Sequence, residues 1–180
     1  TVLARNDKRE ARLDRVRPGA EPEPLVDLGR LPADPPRLLL ADIGDAPGLE
    51  VAFVVPNEGL RIVTLGAAAA GKGTGQDKGA SGFTKKIEDG ALLLCEHEGK
   101  PALMAVRERF VRRFRVDAQG QLHVLAQDNG PAGIDELRLA AELRNKSRIY
   151  LDKKANKLLR VGDDGMPGSI DLPPLPFTHV

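Results

Sequence analysis

Residues 66–82 hold the groups best suited to chemistry in this chain of 180 residues. Gly66, Gly71, Lys72, Gly73 and Thr74 follow directly on a strand-forming run at residues 60–65. Glycines let backbone N–H groups approach a phosphate closely, and a lysine supplies the cation. Gly71, Lys72, Gly73 and Thr74 are therefore the candidate nucleotide-binding residues. Ser81 lies at the far end of the same stretch. A loop serine becomes a nucleophile only when a base stands beside it, so Ser81 is the candidate catalytic residue.

A second concentration of reactive groups is the basic segment 107–115, with five arginines in nine residues. Period two puts Val111, Arg113 and Arg115 on one face of a strand and Phe110, Arg112, Phe114 and Val116 on the other. One face is expected to be core, with Arg112 near its edge, and the other solvated. Arg107, Arg109, Arg113 and Arg115 are then candidate contacts for phosphates or for a partner protein. Such arginines also pair with neighbouring carboxylates or guard a sheet edge. His97, His123 and His179 show no HxH or HExxH spacing, so no metal site is expected. Cys95 ends an apolar run and reads as a buried thiol, with His123 facing solvent.

The elements that must position these groups read as β-hairpins. Residues 51–55 and 60–65 flank a turn at 56–59, and residues 91–95 and 102–106 flank one at 96–100. Residues 110–116 and 122–125 flank a turn at 117–120, and residues 148–151 and 158–161 one at 152–156. Each turn carries Gly or Asn, where positive φ is cheap, between strand-forming residues. Residues 134–145 read as a helix packed on the sheet, with Asp135 and Glu136 in its first turn and Arg144 in its last. Residues 1–36 read as a charged arm and a proline-rich linker, residues 37–162 as a single β-rich domain with a Gly/Lys-rich loop at 66–90, and residues 163–180 as an extended tail. The expected fold is mainly β: an antiparallel hairpin sandwich or barrel with one packed helix and extended Pro-rich termini.

Composition bounds the function. Net charge is +1, which does not indicate a strongly basic nucleic-acid binder. Aromatic residues make up 3% and tryptophan is absent, so base-stacking platforms are scarce and the core must be aliphatic. One cysteine excludes an internal disulfide framework and a cysteine-based zinc cluster. No apolar run approaches the roughly 18 residues of a membrane span, and a cytoplasmic protein is the default expectation, or a virion-associated one for a phage component.

Two short resemblances bear on chemistry. Residues 66–74 resemble the phosphate loop of adenylate kinases, although Ala69 stands where that loop has a glycine and Gly75, Gln76 and Asp77 follow where a helix should begin. Residues 79–129 resemble the C-terminal domain of LexA, UmuD and phage repressors: Gly79 and Ser81 precede Asp89 and Gly90 at similar spacing. That resemblance implies a serine activated by a lysine on a later strand. The matching place here reads Val111, Arg112 and Arg113, and arginine does not shed its proton near neutral pH. A degenerate regulator keeping only dimerisation is then implied. The leading expectation is a non-catalytic structural or binding subunit of a larger assembly, of a phage- or secretion-system kind. It is a homo-oligomer or a component of a multi-protein complex, with no cofactor and no metal. The regulator is second, and a nucleotide-binding protein using residues 66–74 is third.

Overall fold

The computed structural model describes residues 2–6, 8–32, 34–45, 48–65, 82–130, 134, 136–143, 147–152, 157–162 and 167–171. They form an all-β molecule of four antiparallel sheets, none of which closes into a barrel among the described residues. The first sheet holds β1 (Val2–Arg5), β2 (Glu10–Arg15) and β3 (Glu23–Arg30). The second holds β4 (Leu39–Ala41), β5 (Leu49–Val55) and β6 (Gly59–Leu65). β7 (Leu92–His97), β8 (Lys100–Arg107), β9 (Phe110–Val116) and β10 (Leu122–Asn129) make the third as one meander. β11 (Leu137–Glu142), β12 (Arg148–Asp152), β13 (Lys157–Val161) and β14 (Pro167–Asp171) make the fourth.

The sheet β4–β6 is covered on both faces, which explains why β5 reads as a continuous apolar run rather than an alternating one. Val51, Phe53, Val55 and Val63 face Ala11, Leu13, Leu28 and Leu31 of the N-terminal segment. Ala52, Val54, Leu60 and Ile62 face the main core with Leu103, Phe114 and Leu137. The β5–β6 turn needs a glycine at its end. Gly59 has φ +95, and a Cβ there would lie 2.4 Å from the Thr84 carbonyl oxygen.

All four hairpins expected from the turn chemistry are present, as β5–β6, β7–β8, β9–β10 and β12–β13. Other expectations are corrected. The helix at 134–145 is not formed: Leu137–Glu142 is strand β11, paired antiparallel with β12 through a bulge between Leu139 and Ala141. Leu, Ala, Glu and Arg are good helix formers, but propensity amounts to a fraction of a kcal/mol per residue and tertiary packing overrides it. As a strand, this segment buries Leu137 in the core and satisfies its backbone N–H on the Glu108 carbonyl at 2.8 Å. The charged arm and linker expected over residues 1–36 are, in their described part, the sheet β1–β3, because Ala11, Leu13, Leu28 and Leu31 have an apolar face of β5 to cover. The extended tail expected from residue 163 holds strand β14, and residues 172–180 lie outside the described residues.

One buried acid ties the layers together. Glu50 of β5 is 1% exposed, and its Oε2 accepts the Ile43 N–H at 2.9 Å and the Gly44 N–H at 3.0 Å. Those two residues are thereby held beside β9, where Val116 N–H donates to Ile43 O at 3.0 Å and Asp45 N–H donates to Val116 O at 2.9 Å. Burial pushes the Glu50 carboxyl above its ordinary range, against the two backbone N–H groups, which lower it. The folded state therefore binds a proton that the unfolded chain has released, and Glu50's contribution to stability is greatest at low pH and is lost as pH rises through the raised value. Glu50→Gln, which keeps a side-chain acceptor, is expected to stay folded and to show a weaker fall in stability above the ordinary glutamate range. Glu50→Leu orphans two buried N–H groups and should lose about 2–4 kcal/mol, at about 1–2 kcal/mol each. Urea melts of both variants between acid and neutral pH check this. Equal slopes for wild type and Glu50→Gln would refute the pH assignment.

Candidate functional site

The third sheet carries the charged groups, and register explains which of them meet. β8–β9 pairing sets Met104 opposite Arg113, and β9–β10 pairing sets His123 opposite Arg115 and Ala126 opposite Arg113. Arg113, Arg115 and His123 thus share one face. Its middle is covered by the fourth sheet, and its end is open.

Under the fourth sheet lies an ionic cluster. Arg113 Nη1 donates to Asp128 Oδ2 at 3.1 Å, and Arg148 Nη1 donates to the same oxygen at 2.8 Å and to the Tyr150 hydroxyl at 3.3 Å. Burial pushes the Tyr150 phenol up, with Arg148 pulling it back, so the ring is neutral at physiological pH. Cys95 sits at this cluster, and its thiol is pushed up to about 11, first by burial and then by the Glu142 carboxylate. A thiol held that high has almost no thiolate at neutral pH and is a poor nucleophile.

At the open end of the same face is a cleft of about 450 Å³ lined by His97, Lys100, Arg115, Asp117, His123 and Leu125, among others. Asp117 opens the β9–β10 turn. Its Oδ1 accepts the Gln119 N–H at 2.9 Å and the Gln121 N–H at 2.7 Å, while its Oδ2 meets His123 Nε2 at 2.8 Å. The Gln121 amide above all, with His123 and the Gln119 amide, holds this carboxyl below the usual range. An Asp–His pair orients an imidazole as acid–base catalysis requires, but among the described residues the lining contains no serine, threonine or cysteine for it to activate. Among the described residues no group of His, Cys, Asp and Glu is arranged to hold a metal ion.

The four arginines singled out from the sequence are dispersed. Arg107 Nη1 donates to Gly82 O at 2.8 Å and pairs with Glu108 at 3.1 Å. Arg109 is exposed in the β8–β9 turn. Arg113 is buried in the ionic cluster. Arg115 donates to Pro101 O at 2.7 Å and to Gly44 O at 2.9 Å, bracing the segment that Glu50 anchors. The solvated face expected for Arg113 and Arg115 is therefore corrected: the fourth sheet and the 43–45 segment cover it. Arg112 lies on the other face, bonded to Gln127 at 2.7 Å and stacked 4.5 Å over the Phe83 ring. Gly71, Lys72, Gly73, Thr74 and Ser81 lie outside the described residues, as does His179.

Sequence reasoning missed Glu50, Asp117, Asp128, Arg148 and Tyr150. Only the Asp117–His123 pair left a usable signal, since a turn at 117–120 closes β9 onto β10 and brings the two together. Comparison with protein-family models, with curated proteins and with solved structures gave no match. No described helix is long and apolar enough to cross a membrane.

Proposed function

We propose that this protein is a non-catalytic structural or binding component of a larger protein assembly. One observation carries the reading: the described residues build four open sheets from hairpins, so each sheet ends in strands that are paired on one side only among the described residues. Unpaired strand edges are ready-made sites for joining another chain. The charged groups support it by their engagement. Arg113, Arg115 and Asp128 are engaged in bonds to other strands and segments, Asp117 closes its own turn, and Cys95 is held as a thiol. Light scattering on the intact chain tests the proposal. A discrete multimer of the 19.4 kDa chain is expected. A chain that stays monomeric at every accessible concentration would overturn it.

A further inference from the structure

We infer that β10 is a self-association edge, and that two copies of this chain pair antiparallel along it about a two-fold axis. This deepens the assembly reading above and rests on it.

β10 is eight residues long and ends the third sheet, with β9 on one side and no strand on the other among the described residues. The other edges are shielded or short. β3 contains Pro24 and β14 begins with Pro167, and proline removes a donor from an edge. β4 has three residues and β1 four. β7 carries the Arg37 guanidinium on its Leu92 carbonyl. β6 packs against β3 and the 3₁₀ turn at Thr84–Lys86, and β11 packs on β7 and β8. β10 contains no Lys, Arg or Pro. Its bulge between Val124 and Ala126 is a device that often blunts edges. Here the bulge accompanies two consecutive aliphatic side chains at the surface, Val124 at 41% and Leu125 at 37% exposure. An edge designed to repel would show charge at that place.

The strand is self-complementary when reversed. With the axis between Leu125 and Ala126, His123 of one copy stands opposite Asp128 of the other, and the same contact repeats by symmetry. Val124 faces Gln127, and Leu125 faces Ala126. Both polar partners have capacity to spare among the described residues. Among the described residues, His123 uses Nε2 on Asp117, leaving Nδ1, and Asp128 takes both guanidinium groups on Oδ2, leaving Oδ1. Polar side chains that can hydrogen-bond directly across an antiparallel pair are favourable, and like charges there are not. A two-fold interface of this kind is closed and isologous.

Sedimentation and hydrogen exchange on the intact chain test the inference together. A mass of twice 19.4 kDa is expected, with amide protection over Leu122–Asn129 that grows with protein concentration. Leu125→Arg and His123→Glu should each return a folded monomer, the first by placing charge at the axis and the second by setting Glu against Asp128. His123→Lys should remain dimeric. Far-UV dichroism and melting confirm that each variant folds. A multimer unaffected by Leu125→Arg, with protection elsewhere, overturns the β10 inference and leaves the assembly reading standing. Protection of β10 that does not depend on concentration means another part of the same chain covers it, and also overturns the inference. A monomer throughout overturns both.

Discussion

Phe53→Ala is expected to lower the unfolding free energy by about 4 kcal/mol, within the range for emptying a fully buried aromatic site. Phe53 is 0% exposed and lies on the face of β5 that carries the N-terminal sheet. Its neighbours there are aliphatic residues on two sheets, Leu13 and Leu28 on one and Val51, Val55 and Val63 on the other. Backbone pairing holds each of these within its own sheet, so they cannot collapse freely into the gap. The loss should also be uneven. The β1–β3 sheet meets the rest chiefly through this aliphatic layer and through Arg61, which donates to Leu28 O at 3.3 Å. In Phe53→Ala, amides of β2 and β3 should exchange faster than those of β8 and β9, which lie in the other core. Native-state hydrogen exchange reads both. Uniform acceleration across all sheets would show that the two cores melt as one unit.

Asp128→Ala should cost about 3 kcal/mol, the low end of the range for breaking a buried ion pair. The low end applies because Asp128 itself is 38% exposed and water offsets part of the loss. The cost arises from what remains. Arg113 and Arg148 are held beside one another by the third and fourth sheets, and both lose their shared acceptor. Asp128→Asn keeps an oxygen acceptor and should lose less than Asp128→Ala. In the Asp128→Ala background, Arg113→Ala should cost less than it does alone, since its partner is already gone. Chemical denaturation of the four proteins of that cycle is the measurement. Additive losses would mean that the pair contributes nothing beyond its separate side chains.

The hairpins were legible because their signals are local. Gly59, Gly99 and Gly120 adopt positive φ at turns whose flanking strands follow from residue type alone. The segment 134–145 was not legible, because Leu, Ala, Arg and Glu satisfy a helical and a strand pattern alike. The choice fell to β12, which offers a ladder, and to the core, which takes Leu137. The N-terminal sheet was hidden for a similar reason. Its apolar points, Ala11, Leu13, Leu28 and Leu31, are sparse along the chain and make a core only against β5.

The candidate site divides the same way. Composition and periodicity by themselves determined that this is an aliphatic, hairpin-built chain with a basic strand at residues 110–116, because turn chemistry and side-chain alternation act over a few residues. Only the tertiary structure decided what the charges do. Glu50 meets Ile43 and Gly44, and Asp128 meets Arg113 and Arg148, across separations that no local pattern encodes. A guanidinium on a strand looks free until a second sheet is laid over it. Burial then requires a partner, because an unpaired charge away from water costs more than the packing around it returns.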